Sequence, residues 1–113
     1  MEICTERVNG TTIVSVGVAR LDVNSMDEFR QRMETIMCTG CGIVLDMGNV
    51  DVIDSSGLGV ILYCMHYLKA RNRRLGVCGM TRPVQLMFDL ARLEKIVQVY
   101  SSRDQAVEAL ACP

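Results

Sequence analysis

The sequence predicts a single α/β domain: a mixed, mostly parallel β-sheet with an N-terminal hairpin and about four helices. Three observations carry this. Short runs rich in β-branched and apolar residues recur along the chain, segments with apolar residues at helical spacing separate them, and Asn9-Gly10 stands between the first two runs. Strands alternating with helices imply right-handed crossovers into a parallel sheet, and an opening hairpin sets one strand antiparallel. The chain has 113 residues, half of them hydrophobic, so residues 1–113 are expected to form one domain with its own core and no room for a second.

Residues 2–8 and 12–18 are the two arms of the hairpin, because Asn-Gly tolerates the positive φ angles of a tight turn. In the second arm Val14, Val16 and Val18 share one face, and Ile13, Ser15 and Gly17 the other, whose small residues let a helix pack closely. Ser25 and Glu28 have capping-box spacing, and Met26, Phe29, Met33, Ile36 and Met37 recur at helical spacing, which predicts a helix over about 25–38. Ile43-Val44-Leu45 reads as a central strand covered on both faces, followed by polar loop residues from Asp46 through Asp54.

From Ser55 the stripe Leu58, Ile61, Leu62, Met65 and Leu68 predicts a second helix, with Lys69, Arg71, Arg73 and Arg74 at its C-terminal end. Residues 75–78 form the next strand. Thr81 can cap a third helix with Pro83 in its first turn and Val84, Met87, Phe88 and Ala91 buried. Residues 96–100 are the last strand, and Ser102 with Gln105 starts a short terminal helix carrying Ala106, Val107 and Leu110. The chain contains no internal repeat, low-complexity tract or linker.

Lys and Arg number 12 against 13 for Asp and Glu, a formal net charge of -1 that lacks the basic excess of a nucleic-acid binder. No apolar stretch approaches the ~20 residues of a membrane span, and the start does not form a signal peptide, so a cytoplasmic location is expected. The cysteines at 4, 38, 41, 64, 78 and 112 are expected to be free thiols. Cys38-Thr39-Gly40-Cys41 has the spacing of redox and metal motifs. However, Cys38 falls at the negative end of the first helix, and no second Cys or Cys-His pair supplies zinc co-ligands. No metal and no cofactor are expected, and the eight methionines read as packing.

The most informative segment runs from Val44-Leu45-Asp46 to Asp54-Ser55-Ser56-Gly57-Leu58-Gly59: a strand, a short acidic loop, then a helix start with two hydroxyls and two glycines. Glycine early in a helix costs about 1 kcal/mol relative to alanine. Two readings stand on spacing alone. Either Ser55 or Ser56 is only an N-cap and the glycines only allow tight packing, or another backbone or ligand approaches this turn.

Ile53-Asp54-Ser55-Ser56-Gly57-Leu58-Gly59, preceded by Val44-Leu45-Asp46, resembles the signature of bacterial anti-sigma factor antagonists of the STAS family. The likeness extends through Arg20-Leu21-Asp22, Pro83-Val84 and Phe88-Asp89, and so covers nearly the whole chain. Ala19 and Ala91-Arg92-Leu93 stand where many members carry glycine, which bears on loop geometry.

The resemblance implies a STAS-type fold and a phosphorylation switch without catalysis of its own. The implied phosphoacceptor is Ser55, modified by an anti-sigma factor with serine kinase activity and reset by a serine phosphatase. The unphosphorylated form would hold the kinase and the phosphorylated form would release it. The implied partner-binding residues are Asp22, Asp54, Ser55, Ser56, Gly57 and Leu58. A helix N-terminus accepts phosphate without unfolding, and Asp22, Asp51 and Asp54 near the same edge would make the patch strongly acidic once phosphate is added. Val60, Cys64 and Tyr67 form a second apolar face on the same helix, read as a continuation of the binding surface or as core covered by the third or the C-terminal helix. The alternative function is a non-phosphorylated STAS scaffold subunit in a regulatory or transport-associated complex, with Ser55 merely a helix cap.

Enzymatic readings fare worse. A serine hydrolase needs a base beside Ser55 or Ser56, but the only histidine, His66, lies eleven residues along the same helix, about 16 Å at roughly 1.5 Å per residue. The run is not a Gly-x-Ser-x-Gly elbow, and no lysine follows its glycines as in a Walker phosphate loop, so nothing here independently supports nucleotide binding.

Overall fold

The computed structural model of the chain describes residues 1–110. β1 (Ile3–Val8) and β2 (Thr11–Val16) form the expected antiparallel hairpin, in register from Ile3↔Val16 to Val8↔Thr11. Its turn residues, Asn9 and Gly10, have φ of 52° and 82°, the left-handed values this pair accepts at low cost. The chain then leaves the sheet, so β2 ends two residues before the alternation does. There follow β3 (Arg20–Leu21), α1 (Met26–Ile36), β4 (Gly42–Asp46), β5 (Val52–Ile53), α2 (Ser55–Lys69), β6 (Arg74–Cys78), α3 (Arg82–Leu90), a 3-10 turn (Leu93–Lys95), β7 (Gln98–Tyr100) and α4 (Arg103–Ala109).

Five strands lie in the order β1-β2-β4-β6-β7, parallel except for the hairpin pair. The mixed, mostly parallel sheet and the four helices agree with the sequence reading. β3 and β5, two residues each, pair with each other in parallel as a separate small sheet that the sequence reading missed. α1, α2 and α3 pack on one face of the main sheet, where Val14, Val16, Ile43, Leu45, Leu75 and Val77 meet Phe29, Met33, Ile61, Leu68 and Phe88. Among the described residues α4 alone covers the other face, setting Ala106, Val107 and Leu110 against Ile13, Val44 and Cys78. There the small Ser15 admits α4: Arg103 donates to Ser15 Oγ at 3.1 Å and to Asp46 Oδ2 at 2.6 Å.

The helix starts differ in chemistry from their spacing. Ser102 caps α4 as expected, accepting from the Gln105 N–H at 3.2 Å. Ser25 makes no cap bond to α1; its hydroxyl accepts instead from the Asp22 N–H at 3.0 Å, holding the loop after β3. Thr81 donates to the Val50 carbonyl at 2.7 Å, which ties the start of α3 to the loop after β4. Arg73, read as dipole-complementing charge for α2, in fact serves α1: it donates to the carbonyls of Met37, Thr39 and Cys41 at 2.6, 2.8 and 3.2 Å.

Three expectations need correction or refinement. Val60 and Cys64 are 4% and 0% exposed, so they belong to the core and form no free apolar face. α1 and α2 lie side by side on one sheet face, and α1 buries that flank. Cys41 is disulfide-bonded and therefore not a free thiol, while Cys4, Cys38, Cys64 and Cys78 are free. Spacing within Cys38-x-x-Cys41 could not reveal this, because Cys41 is not bridged to Cys38. Cys112 lies outside the described residues. Arg92 keeps the loop geometry that glycine would favour by adopting φ 58° and ψ 29°, at a cost of about 1 kcal/mol.

Two measurements follow from this packing. Val60→Asp should lower unfolding stability by about 3 kcal/mol in urea, because it buries an unpaired carboxylate; a loss under about 1 kcal/mol would place that flank of α2 at the surface. Burial, reinforced by Glu34, pushes the Cys64 thiol up to about 12, and burial with Asp46 pushes Cys78 up to about 11. At pH 8 iodoacetamide should therefore label exposed Cys4 and Cys38 in the folded protein, and Cys64 and Cys78 only after denaturation. The folded chain holds these two protons where the unfolded chain releases them near pH 9, so stability should fall as pH rises past that value.

Candidate functional site

The site grows out of the small second sheet. β3 and β5 pair Arg20 with Val52 and Leu21 with Ile53, and the Asp51 and Val52 N–H groups donate to the Ala19 carbonyl at 2.7 and 3.0 Å. The Asp54 N–H donates to the Leu21 carbonyl at 3.1 Å. These bonds bring the loop before α1 alongside the loop before α2, with Asp22 and Asp54 at the end where α2 begins and Asp51 at the other end of β5.

Asp54, and not either serine, is the N-cap of α2. Its backbone is extended, at φ -108° and ψ -174°, and its Oδ1 accepts from the N–H groups of Ser56 and Gly57 at 2.9 and 3.2 Å. Its Oδ2 accepts from the Val23 N–H at 3.2 Å, so one carboxylate closes the helix start and holds the neighbouring loop. Asp22 is engaged locally, accepting from the Asn24 N–H at 3.0 Å and facing Arg20 at 3.6 Å.

The remaining residues of the run divide by depth. Ser55, the first helical residue, is exposed; Ser56 is half-buried, and Gly57 and Leu58 are buried. A β-carbon on Gly57 would lie 2.8 Å from both the Leu21 carbonyl and the Ile53 side chain, so only glycine lets α2 sit this close to β3 and β5. Gly59 is different: a β-carbon there would meet nothing within 4 Å. Close packing thus explains the first glycine and leaves the second unexplained.

Gly59 opens on a groove of about 500 Å³ between α1 and α2. Arg30 and Glu34 line it from α1, and Ser55, Ser56, Gly59, Tyr63 and the largely buried Val60 from α2. Arg30, Glu34, Gly59 and Tyr63 were not among the residues singled out from the sequence as binding candidates. A glycine inside a helix, one turn past the serine and with no packing duty, was the available signal. Tyr67 is half-buried one turn beyond Tyr63, with the Arg71 guanidinium 3.6 Å from its ring centre. The exposed His66 lies far along α2 from Ser55, and no helix among the described residues is long and apolar enough to cross a membrane.

The arrangement offers an exposed hydroxyl on a fixed helix start, an acidic rim and an adjoining groove. An anti-sigma F factor antagonist of Paenibacillus polymyxa is 33% identical over 112 residues, covering 97% of this chain and 95% of that protein. Among solved structures, an anti-sigma factor antagonist from Mycobacterium paratuberculosis superposes with a TM-score of 0.88 at 21% identity, covering 96% of this chain and 92% of the other. The Bacillus cell fate determinant SpoIIAA in its phosphorylated form does so with a TM-score of 0.70 at 18% identity, covering 96% and 98%. The STAS domain family matches residues 2–106, which takes in both strands of the small sheet, the Asp54 cap and the groove, and the chain belongs to that family.

Proposed function

We propose that this chain is an anti-sigma factor antagonist acting by reversible protein binding in the cytoplasm, with Ser55 as its phosphoacceptor. The observation that carries the reading is that Asp54 does the capping, which leaves the Ser55 hydroxyl at the surface with no structural task. A kinase can take that hydroxyl without disturbing the fold. The solved relative SpoIIAA is known in a phosphorylated form, which supports the same chemistry here.

The partner is an anti-sigma factor with serine kinase activity. It docks on the edge formed by Asp22, Asp54, Ser55 and Ser56 and on the groove beside them, while Gly57 and Leu58 act from behind by setting the helix position. Phosphate brings about 1.5 to 2 negative charges to an edge that already carries Asp22 and Asp54, so a contact complementary to a neutral hydroxyl is lost. A serine phosphatase restores binding, and the chain itself performs no catalysis.

Incubation with the cognate anti-sigma kinase and ATP, followed by mass spectrometry, should place phosphate on Ser55. Ser55→Ala should abolish incorporation, keep partner binding, and change stability by no more than about 0.5 kcal/mol, because the residue is not the cap. Ser56→Ala should still be phosphorylated, and Ser55→Asp should fold normally but bind at least about tenfold more weakly, some 1.4 kcal/mol. Phosphate on Ser56 would overturn the assignment, and phosphate on neither serine with an active kinase would favour a constitutive scaffold.

A further inference from the structure

Among the described residues, Arg30 is the one cation lining the groove that also holds Ser55. Its guanidinium is held only loosely, 3.3 Å from Asp27 and 3.7 Å from Glu34, with the side chains of all three partners substantially exposed. Exposed ion pairs of this kind contribute little, so a stronger acceptor within reach takes the arginine from them.

Ser55 carrying phosphate would be that acceptor. α1 and α2 each connect parallel strands across the same face of the sheet, so they run in the same direction. Arg30 and Glu34 on α1 face Ser55, Gly59 and Tyr63 on α2, each set spaced by one helical turn. The Val23 N–H bond to Asp54 sets the entry to α1 beside the start of α2, and Arg30, one turn into α1 from Met26, lines the same groove as Ser55 and Gly59, which are themselves one turn of about 5.4 Å apart. Helical side chains lean toward their own N-terminus, which for Arg30 is toward Ser55, and its contact with Asp27 follows that direction. The path crosses the bare backbone of Gly59, where even a β-carbon would touch nothing.

We infer that Arg30 is an internal clamp for phosphoserine 55: once Ser55 is phosphorylated, the guanidinium leaves Asp27 and Glu34, crosses Gly59 and pairs with the phosphate. The inference rests on Ser55 being the modified residue. An arginine offers the planar, two-pronged donor set that phosphate oxygens accept best. The movement also fills the groove, so release of the partner follows from occlusion as well as from added charge. Gly59 thereby gains a reason for lacking a side chain.

The test installs phosphoserine at position 55 during translation with an expanded genetic code, so it needs no kinase and reads out even if the natural kinase modifies another residue. Titration by phosphorus NMR then gives the second ionisation of the phosphate, ordinarily near pH 6. In the otherwise unaltered chain it should lie at least about 0.5 pH unit below its value in Arg30→Gln, the shift expected of a close cationic partner. Asp22, Asp27, Glu34, Asp51 and Asp54 are common to both proteins, so the difference isolates Arg30. Arg30→Lys should retain part of the shift, Gly59→Leu should abolish it by blocking the path, and Arg71→Gln at the far end of α2 should leave it intact. Equal ionisation in the unaltered chain and Arg30→Gln, both folded by circular dichroism, would overturn the clamp.

Discussion

The carboxylate of Asp54 is the constraint on which the rest of the site depends. It accepts three backbone N–H groups, two from the first turn of α2 and one from the loop after β3. Because both oxygens are engaged, the helix start is satisfied without help from either serine. The helix can then approach the small sheet so closely that a β-carbon on Gly57 would lie 2.8 Å from the Leu21 carbonyl and Ile53, a distance no side chain permits. β3 and β5 are too short to be stable alone. They persist because this cap and the bonds to Ala19 and Leu21 fasten them together.

The switch proposed at Ser55 rests on that arrangement. A hydroxyl that caps a helix cannot be modified without weakening it, whereas one standing just inside a helix capped by another residue can. Phosphate at Ser55 would also sit at the positive end of α2, where the fold tolerates charge. In the proposed switch the main sheet, with α1 to α3 on one face and α4 on the other, has no part to play. What the proposed switch changes is the charge and shape of one edge, which becomes more acidic, with Arg30 and Gly59 drawing the neighbouring groove into that change.

Much of this was legible in the sequence, because the strong periodic signals correspond to deeply buried faces. The hairpin at Asn9-Gly10, the stripes of Phe29 and Met33, of Ile61 and Leu68, and of Ala106 and Leu110, and the order of strands and helices all appear where spacing put them. The two-residue strands at Arg20–Leu21 and Val52–Ile53 had no period to display and depend on each other across 30 residues of chain. Ser25 had the right spacing for a cap but was claimed by the Asp22 N–H, a competition that spacing does not report. Val60 and Cys64 were open to two readings, a docking face or core under the third or C-terminal helix, because a single helix read alone does not reveal its neighbour, and α1 proved to be that neighbour. The groove was missed for the same reason: the second glycine left a close approach open without saying of what, and Arg30 acquires meaning only when the two helices are seen side by side.

Amide hydrogen exchange in Asp54→Ala, beside the unaltered protein, tests the central claim most directly. If one carboxylate joins the two segments, the Ser56, Gly57 and Val23 amides should all exchange faster, and stability should fall by about 1 to 2 kcal/mol. Unchanged exchange at Val23, with acceleration confined to the first turn of α2, would contradict the account: the loop after β3 would then be held by something other than Asp54.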